Sequence, residues 1–177
     1  MDLRMSIKDS VNKGVGKSCT EGVITLSGLV DYVLRDSEGN IKEARYNVKN
    51  LVTTAGKARV ADLLISDVGS AAPAFFDYIA IGTGTNAAAA GDTTLQTEIT
   101  TSGGQRANAT GTRVTTTVTN DTAQLVVTFN FTGSFAVTES GVFDDGVTGT
   151  LLCRQVFSAI NVASADSLQV TWKIAVS

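Results

Sequence analysis

The fragment Gly14-Val15-Gly16-Lys17-Ser18 ends in the Gly-Lys-Ser of a phosphate-binding loop. In such a loop backbone N–H groups cradle the phosphates and the lysine neutralises them. That needs a glycine five residues before the second one, and a strand-to-helix setting. The position is Val11 here, and the fragment lies in a polar stretch near the N-terminus. Nucleotide binding through Lys17 is therefore only a remote alternative. Gly82-Thr83-Gly84-Thr85 resembles a second phosphate loop, but lacks the third glycine and the long following helix of a dinucleotide fingerprint. It reads as a chain reversal after a buried strand.

The acids give equally weak signals. Asp36-Ser37-Glu38-Gly39-Asn40 imitates the start of a calcium loop, but its glycine is misplaced and no helices flank it, so a hairpin turn is expected. Asp144-Asp145 offers two adjacent carboxylates for calcium, yet such pairs at turns are ordinarily solvated. Glu98, Glu139, Asp144 and Asp145 are the acids available for glycoside cleavage, which needs two of them paired in space. Only one Trp and few aromatics are present to form a sugar-stacking cleft. The chain has no His, which removes His-based triads, His-ligated zinc and the commonest general base. Cys19 and Cys153 lie far apart and make no disulfide framework, and no activating partner for a catalytic thiol is evident. The expectation is one free thiol near the N-terminus and one buried in a Leu151-Leu152-Cys153 strand, as suits a reducing cytoplasm. No catalytic, cofactor-binding or metal residues are assigned, no cofactor is implied, and the protein is not expected to be an enzyme.

The elements that would carry these residues are mostly strands. Of 177 residues, 43% are hydrophobic and only 18% charged, with 17 Gly and one Pro. Recurrent Thr and Val branch at Cβ and fit a pleated surface. The composition opposes disorder and allows one self-sufficient core. Residues 1–22 read as an N-terminal arm and 23–177 as a single β-sandwich domain, with a hairpin plus helix over 23–75 and a strand-rich core over 76–177. Leu29–Arg35 and Ile41–Val48 form the hairpin. A helix spans 54–65, capped by Thr53 or Thr54, with Val60, Leu63 and Leu64 inward and Lys57, Arg59 and Asp62 outward. Asp67–Ala74 is a loop, and 77–82 is a buried strand. Asp92 caps a short helical turn, Thr93–Ile99. Strands Val114–Thr119, Leu125–Phe131, Phe135–Phe143, Thr150–Phe157 and Leu168–Val176 follow. Trp172 alternates with Val170 and Ile174 and points into the core, while Glu139 between apolar neighbours satisfies loop N–H groups. The fold class expected is mainly β: an antiparallel, jelly-roll-like sandwich with one packed helix and an extended arm.

Several segments, taken in order, resemble a recurring phage pattern: Tyr78-Ile79-Ala80-Ile81-Gly82-Thr83-Gly84-Thr85, Gly91-Asp92-Thr93-Thr94-Leu95-Gln96-Thr97-Glu98, Arg106, Thr138-Glu139-Ser140-Gly141-Val142-Phe143-Asp144, Leu151-Leu152-Cys153-Arg154-Gln155-Val156-Phe157 and Ala165-Asp166-Ser167-Leu168-Gln169-Val170-Thr171-Trp172-Lys173-Ile174. The stretch is similar to the domain that opens phage tail-collar fibre proteins and related small virion proteins. The resemblance implies a bacteriophage virion structural protein and transfers no catalytic residues. It differs in an added N-terminal hairpin and helix and in the lack of a following shaft. Those differences turn the expectation toward a compact attached subunit, such as a capsid decoration or cement protein.

The partners implied are other virion proteins (capsid, neck or tail subunits) and further copies in a homo-oligomer such as a trimer. A host-surface glycan or protein receptor is the alternative. The net charge of −3 gives no basic footprint, so no nucleic-acid partner is expected. No apolar run reaches the roughly 20 residues that span a bilayer, and MDLRMSIKDSVNKG lacks the apolar core of a secretory signal. Neither a membrane partner nor export is expected; the expected location is the virion, assembled in the bacterial host cytoplasm.

Overall fold

The computed structural model describes residues 25–63 and 75–176. The proposed arm with Lys17 and Cys19, the loop Asp67–Ala74 and Leu64 lie outside the described residues. In chain order the elements are β1 (Leu26–Arg35), β2 (Ile41–Lys49), β3 (Leu51–Val52), α1 (Thr54–Asp62), β4 (Tyr78–Gly82), β5 (Ala107–Asn108), β6 (Thr110–Val114), β7 (Thr122–Asn130), β8 (Phe135–Phe143), β9 (Leu151–Val162) and β10 (Ser167–Val176). Two antiparallel five-stranded sheets pack together, in the orders β2-β1-β10-β7-β6 and β3-β9-β8-β4-β5.

Alternation explains the core. Val170, Trp172 and Ile174 of β10 point inward, paired with Val127, Leu125 and Ala123 of β7 and with Tyr32, Val30 and Gly28 of β1. Ile79, Ile81, Val137, Val142 and Cys153 meet them from the second sheet. Polar contacts fix the layers: Trp172 Nε1 donates to Ser140 Oγ at 3.1 Å, and the Tyr32 and Phe157 rings lie 4.3 Å apart. Burying the aromatic rows contributes about 1.5–3 kcal/mol per large side chain.

The β1–β2 turn forms as expected. The Asp36 carboxylate accepts the N–H groups of Glu38 and Asn40, each at 2.9 Å, and Gly39 takes φ 87°. Thr53 is the cap of α1: Gly56 N–H donates to its Oγ1 at 2.9 Å, and that hydroxyl donates to the Leu151 carbonyl. Gly56 is required where α1 meets β9, since a Cβ there would lie 2.4 Å from the Leu152 carbonyl oxygen. Arg59, expected to face away, instead turns toward β8 and pairs with Asp144 at 3.2 Å.

Two further expectations are corrected. Thr93–Ile99 is not helical. The N–H groups of Gln96 and Thr97, which a helix would commit to carbonyls four residues back, donate to the Glu139 carboxylate. Nor does Val114–Thr119 form a strand. β6 ends at Val114, because Asp121 gathers the N–H groups of Thr116, Thr117 and Val118 into a tight loop.

Candidate functional site

The densest polar cluster lies on the outer face of the second sheet, beneath the segment 83–106. Leu95 of that segment packs on Ala80, Phe143 and Leu151, forming a small second core. Gly141 permits this approach, since a Cβ there would stand 3.0 Å from Leu95.

Glu139 on β8 is fully buried beside this core. Its Oε1 accepts N–H bonds from Gly84 at 3.0 Å and Thr97 at 2.7 Å. Its Oε2 accepts from Gln96 N–H at 3.0 Å and from Arg154 Nε and Nη2 at 2.9 and 2.7 Å. Arg154 on β9 also donates to Asp92 Oδ2 at 2.8 Å and to the Asn86 carbonyl at 3.2 Å. Burial works to lower the Arg154 pKa, but the bonds to Glu139 and Asp92 outweigh it and raise the value. Burial likewise pushes Asp92 up, while the Ala89 N–H and Arg154 bring it below the usual carboxylate range. Thr138 Oγ1 donates to the Gly84 carbonyl at 2.8 Å.

This geometry explains the Gly82-Thr83-Gly84-Thr85 motif. A Cβ on Gly84 would lie 2.5 Å from Glu139 Oε1, and one on Gly82 would lie 2.4 Å from the Thr97 carbonyl oxygen. The glycines allow the backbone to close on a carboxylate, as a phosphate loop closes on a phosphate. The anion is the chain's own.

A second arginine pins the far end of the segment. Arg106 donates from Nε and Nη2 to the two Glu98 oxygens at 3.0 and 2.7 Å. From Nη1 it reaches the Asp145 and Thr148 carbonyls. Its guanidinium carbon lies 3.6 Å from the Phe143 ring centroid. Asp144 accepts the Thr150 N–H and pairs with Arg59. Asp145 closes its own turn, with N–H bonds from Thr148 and Val147 holding its pKa low.

Of the acids singled out in the sequence, Glu98, Glu139, Asp144 and Asp145 are thus each bound to a cation or to backbone N–H groups, and none is presented as a carboxylate pair. Arg154 was not singled out there, although a lone arginine after Leu151-Leu152-Cys153 in a buried strand signals a paired charge. Cys153 is a free, fully buried thiol whose pKa burial raises strongly. Among the described residues no group of three His, Cys, Asp or Glu is placed to hold a metal ion, and no helix is long and apolar enough to cross a membrane.

No family model matches the chain, and neither a curated protein nor a solved structure does.

Proposed function

We propose that the protein is a non-enzymatic structural subunit of a bacteriophage particle, of the tail, collar or capsid-decoration kind, that presents a rigid β-sandwich to other virion proteins. The observation that carries this reading is the closure of charge around segment 83–106. Glu139, Arg154, Asp92, Arg106 and Glu98 pair with one another, and Glu139 and Arg154 are almost wholly withdrawn from solvent. Charges arranged this way hold a surface in shape. The segments so clamped are those that resemble the collar-fibre pattern, from Tyr78 through Arg154. A Thr-rich chain with only 18% charged residues suits a protein that works through contact with neighbouring subunits.

Immunogold labelling of purified particles, with antibody raised to the folded domain, tests the reading. Regular multi-copy label at tail, collar or capsid is the expected result. A protein abundant in the lysate yet missing from washed particles would overturn it.

A further inference from the structure

Each sheet edge carries unpaired N–H and C=O groups that invite another strand. The two edges of the first sheet are built differently. On β2 the edge is guarded: its register with β1 shifts between Val30 and Tyr32, and Asn47 adopts φ 56°. Lys42 is ion-paired with Asp166, and Arg45 with Glu43. Bulges and charges of this kind deter edge-to-edge pairing.

At the opposite edge, β6 has neither a register shift nor a residue at positive φ, and carries a single charge. Its register with β7 runs unbroken from Thr110 to Val114. Thr110, Gly111, Thr112 and Arg113 are all exposed, and Arg113 is the strand's one charge. Among the described residues no strand pairs with its outer side.

We infer that the open edge of β6 is an interaction site, and that its occupant is β6 of a second copy, antiparallel about a two-fold axis through Thr112. The sequence is self-complementary in that register. Thr112 meets Thr112, a favourable cross-strand pair, while Thr110 meets Val114. Arg113 meets Gly111, so no like charges stand directly opposite, and the two Arg113 side chains, diagonal to each other on one face, extend to solvent. The joined edges make one continuous sheet through both copies, with an isologous contact. A five-residue strand buries less than the roughly 1,000 Å² of a stable interface, so association is weak in solution. It strengthens where copies are held close together.

The test is sedimentation velocity on the full chain, from about 10 μM to about 1 mM, a range that reaches weak association. The wild type should pass from monomer to dimer over this range. Thr112→Lys and Thr112→Glu, at an exposed position, should each stay monomeric with an unchanged melting temperature. Mixing the two should restore the dimer, because Lys then faces Glu across the axis. Ile41→Lys on the β2 edge should leave dimerisation intact. A wild type that stays monomeric at the highest concentration overturns the inference, as does a dimer that survives Thr112→Lys or one lost on Ile41→Lys. These outcomes are independent of particle labelling, so the edge pairing and the virion reading fail separately.

Discussion

Replacing Glu139 by Met removes the acceptor of five hydrogen bonds: the N–H groups of Gly84, Gln96 and Thr97, and two from Arg154. Arg154 keeps Asp92 and the Asn86 carbonyl, but its charge is left buried with half of its compensation gone. Breaking a buried pair from one side costs about 3–5 kcal/mol, against a total stability of about 5–15 kcal/mol. In a chain of this size the melting temperature should fall by roughly 6–20 °C. Arg154→Met should cost about 3 kcal/mol, since Glu139 retains its three N–H donors. The double variant distinguishes the terms. Removing both charges abolishes the stranded-ion penalty yet leaves three backbone donors without an acceptor, at about 1–3 kcal/mol each in buried sites. It should therefore lose no more than Glu139→Met alone, which leaves the same three donors and a stranded charge besides, and less than the sum of the single losses. Urea unfolding gives these values, and hydrogen exchange locates them: the Gln96 and Thr97 amides should be protected in the wild type and exchange rapidly in Glu139→Met. If that variant loses under about 1 kcal/mol and those amides stay protected, Glu139 does not hold the segment and the reasoning is refuted.

The remaining predictions concern backbone and pH. Gly103 has φ 86°, and a Cβ there would lie 1.8 Å from the Asn130 carbonyl oxygen, so Gly103→Ala should destabilise by at least about 2 kcal/mol in urea titration; a neutral result would contradict the loop geometry. Thr53→Ala removes the cap of α1 and should cost about 0.5–2 kcal/mol, read as a lower urea midpoint with an unchanged slope. Several carboxylates have pKa values below the ordinary range: Asp36 through the Asn40 side chain, Asp121 through the Val118 and Thr116 N–H groups, and Asp166 through Lys42. For a group lowered on folding, the stabilisation is complete above its unfolded value of about 3.9 and is lost as pH falls through the folded value. With no His in the chain, the urea midpoint should stay level from about pH 5.5 to 8 and drop only below about pH 4. A step near pH 6.5 would show that another group governs stability.

The parts of the fold legible in the sequence were those decided locally. β1 reads as a strand because Leu29–Arg35 is an apolar run of β-formers ahead of a turn, β10 because branched and aromatic residues alternate there, and Trp172 lies inward because its neighbours at two-residue spacing do. The turn at Asp36–Asn40 needed only its own residues. Thr93–Ile99 misread as helix because the competitor for its N–H groups lies some 40 residues further along the chain, and local propensity carries no information about a carboxylate on β8. Val114–Thr119 is a different case: the competitor is local, since Asp121, three to five residues further on, accepts the N–H groups of Thr116, Thr117 and Val118, and these bonds override the strand propensity of the threonines. The site divides along the same line. Glu139 was legible as a structural acid, being a lone carboxylate among apolar residues, but its pairing with Arg154 depends on the β8–β9 register, which contains shifts that spacing alone does not reveal. Glycines at the spacing of Gly82-Thr83-Gly84 report a chain reversal or a close backbone approach, and only the three-dimensional arrangement shows what the backbone approaches. Here the Glu139 carboxylate and the Thr97 carbonyl lie against the glycines, and the loop is part of the scaffold.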